Sequence, residues 1–290
     1  MEADPQLEPP TSPPPGWYWD VQIAAVKPHV HNDMNDFVTT GGGAIVAVGA
    51  NQGPIPMNDS PVSWTGVLRF ELGYRLLSGL GEITLSDTFL VTQGSQTVAR
   101  PDGPGTYAAK LFLNYSDLDY VSREFTPFAN WDMKWRFGTR FVEGTFKDQF
   151  SQPMAQAAAG TGIYSLQETN RLYGPGFHCA VELERRFQRP GFSFISKVDV
   201  GDAFARIHQT FAASTTGAGS GSLTESVLQQ LPMLTVQAGF GWQPPRRPYS
   251  RLFMGYLDET WWNFMTNRTS GTSFGNVDYQ GMVVRWQVNY

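Results

Sequence analysis

The stretch Trp131-Asp-Met-Lys-Trp-Arg-Phe-Gly-Thr-Arg-Phe141 decides the fold. Trp131, Met133, Trp135, Phe137, Thr139 and Phe141 alternate with Asp132, Lys134, Arg136, Gly138 and Arg140. Successive side chains of a strand point to opposite faces, so this segment is aromatic on one face and ionic on the other. A soluble sandwich would bury the aromatic face and wet the ionic one. A membrane barrel would turn the aromatic face to lipid and the ionic face inward. One strand does not separate the two.

The same alternation recurs elsewhere. Trp64, Gly66, Leu68, Phe70, Leu72, Tyr74 and Leu76 stand against Arg69, Glu71, Gly73 and Arg75. Phe177, Cys179, Val181 and Leu183 stand against His178, Glu182, Glu184 and Arg186, and Met282, Val284, Trp286, Val288 and Tyr290 close the chain. Of 290 residues only 16% are charged, against about 25% in ordinary soluble domains, while 14% are aromatic, nine of them Trp. No apolar run approaches the roughly 18 residues of a spanning helix, which excludes helical membrane spans. A net charge of -5 without a basic stripe excludes a nucleic-acid partner. The single cysteine, Cys179, excludes an intramolecular disulfide and a cysteine-based metal cluster.

Ten alternating segments are predicted, at about 17–28, 63–77, 82–93, 109–123, 130–146, 172–187, 192–211, 231–243, 251–262 and 280–290, with twelve strands as the alternative count. Long connections are expected after the first, third, fifth, seventh and ninth segments, and short turns after the others. That asymmetry is the mark of outer-membrane barrels, with short periplasmic turns and longer external loops. The fold class is therefore all-β: an antiparallel up-and-down transmembrane β-barrel over 17–290. Residues 1–16, rich in Pro among Glu2, Asp4 and Glu8, are expected to form a disordered periplasmic segment. No secretory signal is visible, so an outer-membrane location implies a signal missing from this sequence. The barrel reading puts Trp17, Trp19, Trp131, Phe192, Phe194, Trp242 and Tyr290 in a lipid-facing aromatic girdle at the short-turn end, and Trp261 in one at the other.

The segments Trp17–His29, Arg69–Arg75, Asp117–Tyr120, Asn130–Arg140 and Tyr256–Trp262, with the closing strand, resemble the pore-forming family of Legionella major outer membrane protein-like barrels. The resemblance covers most of the chain after residue 16. It implies an outer-membrane, porin-like protein and carries over no catalytic residue. Tyr290, in step with Trp286 and Met282, also resembles the closing strand that the barrel-assembly machinery recognises. The partners expected are thus membrane lipids, that machinery during biogenesis, and outer-membrane or periplasmic proteins.

The candidate functional residues are the ionic-face charges: Arg69, Glu71, Arg75, Asp132, Lys134, Arg136, Arg140, Glu182, Glu184, Arg186, Lys197, Asp199, Asp258 and Arg285. They line either a polarised pore or an ion-paired plug. Rings of fixed charge select permeating ions, but an eight-stranded barrel is just filled by its own side chains, and ten strands lie near that end. His29, His31, Asn32, Asp33 and Asp36 read as a solvated rim in preference to a metal site. Gly41–Ala50 reads equally well as an inward constriction or an extension of the first strand. His178 and His208 lack a nucleophile at any telling spacing, so neither a cofactor nor an enzymatic activity is expected. Cys179 falls on the lipid face, and Asn267-Arg-Thr269 is uninformative. The expected function is a porin or narrow channel for small hydrophilic solutes. The alternative is a closed structural barrel whose loops or N-terminal segment bind partners, and a lipid-acting barrel enzyme is a distant third.

Overall fold

A computed structural model describes residues 15–31, 60–99, 104–156, 160–187, 191–215, 219–244, 249–267 and 273–289. The expected periplasmic segment (apart from its last two residues), Asn32, Asp33, Asp36, the Gly41–Ala50 stretch, Arg268, Thr269 and Tyr290 lie outside them. The strands are β1 (Gly16–His31), β2 (Thr65–Arg75), β3 (Glu82–Val98), β4 (Gly105–Val121), β5 (Phe125–Phe128), β6 (Trp131–Gln156), β7 (Gly160–Arg186), β8 (Phe192–Thr215), β9 (Gly219–Trp242), β10 (Ser250–Asn267) and β11 (Ser273–Asn289). Ten of them form one antiparallel barrel, closed by the β1–β11 and β4–β6 pairings. The four-residue β5 pairs only with the start of β6.

Register sets the shape. From Phe194 in β8, the paired residues run Phe240, Met254, Val284, Ile23, Leu68, Phe89, Asn114, Glu143 and Tyr173. The circuit returns to β8 at Arg206, twelve residues above its start. Ten strands with that stagger tilt by about 40°, within the 35–45° range of closed barrels. The ten-residue step from Trp131 to Phe141 then climbs about 25 Å, the height of an outer-membrane apolar band.

Around the barrel, the outward side chains at this level form an apolar belt. Ile23, Phe70, Leu72, Trp135, Phe137, Phe177, Val200, Phe240, Met254 and Trp286 are all exposed. Cys179 is exposed in the same belt, as expected. Outward positions further along turn polar: Glu143, Lys147 and Gln149 in β6, and Arg206 and Thr210 in β8.

The long loops expected after the third, fifth, seventh and ninth segments are largely strand. β6 and β7 reach 26 and 27 residues, and β8 and β9 reach 24 each. About 9–11 tilted residues suffice to cross a bilayer, so these four carry the sheet far beyond the belt as a high wall. The asymmetry is real, but it lies in strand overhang. Polar, glycine- and alanine-rich stretches such as 147–171 and 212–230 read as loops because both faces of an overhanging strand can be weakly apolar, which erases the alternation.

Inside, the wall is packed. Leu90, Leu111, Leu113, Val142, Phe146, Leu172, Ile207, Leu231 and Phe264 form a continuous buried apolar core across the bore. Val62 belongs to the same core, held partly by the Lys27 ammonium donating to its carbonyl oxygen at 2.8 Å.

Candidate functional site

Nearer the short turns, the bore changes from apolar to ionic. The inward side chains of β1, β2, β4, β6, β7, β8 and β11 converge there because each strand presents its ionic parity to the axis. Arg140 donates to both oxygens of Asp117, from Nε at 2.7 Å and Nη2 at 3.0 Å. Asp199 lies 3.6 Å from the same guanidinium, which also stacks 4.5 Å from the Tyr115 ring centre. Arg136 grips Glu71 through two bonds, 2.8 and 3.0 Å, and Asp119 through a third at 3.0 Å. Arg69 reaches Glu71 at 3.4 Å and Ser86 Oγ at 2.9 Å. Lys197 sits 3.7 Å from Asp199.

His178 lies at the centre, fully buried between two carboxylates. Its Nδ1 is 2.9 Å from Asp199 and its Nε2 2.7 Å from Asp119. Asp119, Gly138 and His178 share one register row on three successive strands. The His178–Asp119 bond therefore passes over Gly138. A Cβ there would collide with the Asp119 carboxylate and the Leu118 carbonyl oxygen. Gly138→Ala should thus cost about 1–3 kcal/mol in overpacking, read as an earlier midpoint in thermal unfolding in detergent; an unchanged midpoint would refute this geometry.

Several of these bonds join walls that are not neighbours in the sheet. Arg136 of β6 to Glu71 of β2, Arg285 of β11 to Glu182 of β7 at 3.4 Å, and Tyr115 of β4 to Glu259 of β10 at 3.1 Å all cross the bore. A hollow in the layer, lined by Asp20, Glu71, Arg136, Glu182, Lys197 and Arg285, measures about 60 Å³. That is room for a few waters. Toward the short-turn mouth, Arg75 pairs with Glu82 and Arg251 with Glu184, while Lys134 and Arg186 reach Glu124. Arg186 also pairs with Asp132, though it is half-exposed there instead of lining the bore.

Thirteen of the fourteen candidate charges thus point into the barrel or its mouth. Asp258 does not: it is exposed on the outer face, and the inward acid of β10 is its neighbour Glu259. The same parity turns Trp261 inward, where it is fully buried and donates to Glu259 at 2.7 Å instead of facing lipid. The reason is that β10 is apolar on both faces, Met254 and Tyr256 outside, Phe253 and Leu257 inside, so its alternation carries no sign. Trp17, Trp19, Trp131, Phe192, Phe194 and Trp242 stand on the outer face. Asp20, Asp117, Asp119, Glu259 and the central role of His178 were missed. The sequence carries a signal for Asp117 and Asp119, which share one parity while Leu118 and Tyr120 share the other.

Asp117, Asp119 and His178 bring ligand atoms within 4.8 Å of one another. Arg140 and Arg136 already neutralise the two carboxylates, so a cation would have to displace guanidinium groups. His208 turns outward and stacks on Tyr173 at 5.8 Å, and His31 meets Asp278 at 3.2 Å on the outer face.

An apolar belt outside ten tilted strands and a buried ionic layer within define a β-barrel of the outer-membrane type. No family model and no curated protein matches the chain. Among solved structures, the outer membrane protease OmpT from Escherichia coli aligns with a TM-score of 0.50 at 9% identity, over 97% of this chain and 98% of that one. The monoaromatic hydrocarbon channel CymD aligns at 0.33 and 6% identity, over 95% and 88%. The toluene transporter TodX of Pseudomonas putida aligns at 0.26 and 8%, over 96% and 90%. The first likeness shows the fold; the other two are too distant to carry an argument.

Proposed function

We propose that this chain is a filled, non-conducting barrel of a bacterial outer membrane, whose overhanging wall and loops present surface for partners. The observation that carries this reading is the set of cross-bore bonds, Arg136–Glu71, Arg285–Glu182 and Tyr115–Glu259, backed by the apolar core stacked directly above them. An ion following the axis would have to break several charge-assisted bonds and then cross a layer of Phe146, Leu172 and Phe264 without water. The narrow-channel reading draws on the same charges and requires that layer to open. Catalysis is no part of the proposal, because His178, with its acid neighbours Asp119 and Asp199, is sealed from any substrate. The family resemblance and the assembly-machinery partner belong to the proposal as well.

The test is electrical. Refolded protein inserted into planar bilayers should leave the current at the baseline of the bare membrane, at either polarity. Reproducible unitary steps would overturn the filled-barrel reading in favour of a channel.

A further inference from the structure

Inside the barrel the cations are paired; on one outer wall they are not. Lys110 of β4, Lys147 of β6, and Arg171 and Arg206 of β7 and β8 are exposed, and no ion pair or hydrogen bond engages their side chains among the described residues. Lys110 and Lys147 are direct cross-strand partners. Like charges so placed repel and destabilise a sheet unless an anion lies between them. Glu143 is exposed on the same face, beside Lys147 and Arg171; Asp202, lower on the wall, is engaged by the Gln230 amide. Lys147, Arg171, Tyr173 and His208, with the Glu143 carboxylate among them, border an open hollow of about 750 Å³.

Height explains the arrangement. At a tilt of about 40°, each residue along a strand climbs about 2.5 Å, and each step along the register from β4 through β6 and β7 to β8 climbs about 3 Å. Lys147 is six residues past Phe141; Arg171 pairs with Thr145; Arg206 pairs with Tyr173, which pairs with Glu143. All four cations therefore fall at one level, about 11–15 Å above Phe141. Beneath them Phe112, Phe141, Tyr173 and Phe204 end the apolar belt, within the reach of a Lys or Arg side chain from a headgroup layer. The opposite wall, by contrast, carries Asp258 and Asp278 in its outer face.

We infer that the outer face of β4, β6, β7 and β8 binds the phosphate-bearing headgroup of an outer-leaflet lipid, with its acyl chains resting on the aromatic belt below. The inference rests on the barrel lying in a membrane with this wall outermost. A lipid is favoured over a free anion because Phe112, Phe141, Tyr173 and Phe204 lie beneath the cations, an aromatic surface on which acyl chains can rest beside Glu143 and Asp202. Each basic residue near an anionic surface contributes about a fivefold gain in affinity.

The test uses the full chain refolded in detergent and titrated with a bisphosphorylated diglucosamine lipid (lipid A), with bound lipid counted by native mass spectrometry. Lys147→Gln combined with Arg171→Gln should weaken binding about 25-fold. Arg123→Gln, the same kind of charge change at the short-turn end, should leave it unchanged. The phosphate-free form of the lipid should bind no better to wild type than to the double variant. Equal binding by all proteins, or full competition by inorganic phosphate alone, would overturn the proposal. Failure of the wild type to insert into phosphatidylcholine vesicles would instead overturn the membrane reading beneath it.

Discussion

An Arg140→Gln barrel should lose about 3–5 kcal/mol of stability, because its removal leaves Asp117 and Asp199 without their shared cation in a buried layer. Asp117 accepts both strong bonds of that guanidinium and is fully buried, so water cannot replace what is lost. Asp117 keeps the more distant Arg69, at 3.7 Å, whereas Asp199 keeps His178 at 2.9 Å and Lys197 and should suffer less. Urea unfolding in detergent measures the loss, and a second substitution separates pairing from packing. Arg140→Gln with Asp117→Asn removes both charges and should recover part of the stability. If the bore were instead a water-filled pore, the single change would be nearly neutral for folding and would appear as a shift in ion selectivity. A stable Arg140→Gln protein would therefore count against the filled barrel.

Phe137→Arg should cost about 2–4 kcal/mol in vesicle refolding, since it puts a cation on the lipid face near the middle of the belt. Phe137 is exposed, as are Trp135, Thr139 and Phe141 on the same face of the strand. The contrast is Gln149→Arg, on the same face of the same strand but well above the belt, which should stay within about 0.5 kcal/mol of wild type. Equal tolerance at both positions would show that the face of Phe137 meets water.

Much of this was legible in the residues themselves. In β6 the aromatic and ionic parities are so unlike that both lipid and bore positions follow from spacing alone. In β2, β7 and β11 the same contrast placed Arg69, Glu71, Glu182 and Arg285 inward. In β10 the contrast vanishes, and Asp258 and Trp261 were assigned to the wrong sides together, as a one-residue slip in parity demands. Above the belt the environment is water outside and packed side chains inside, so stretches such as 147–171 lose their apolar outer face and read as loops.

The sequence by itself determined the strand count, the antiparallel barrel class and the side on which most charges lie, because a two-residue period is a local property of the chain. Only the tertiary structure decided how those charges pair. Arg136 meets Glu71 and Arg285 meets Glu182 across the bore because ten strands staggered by twelve residues bring them to one level. Nothing local to either residue encodes that stagger. The same stagger aligns Lys110, Lys147, Arg171 and Arg206 on the outside, and it, more than composition, separates a bore lined with charge from one stoppered by it.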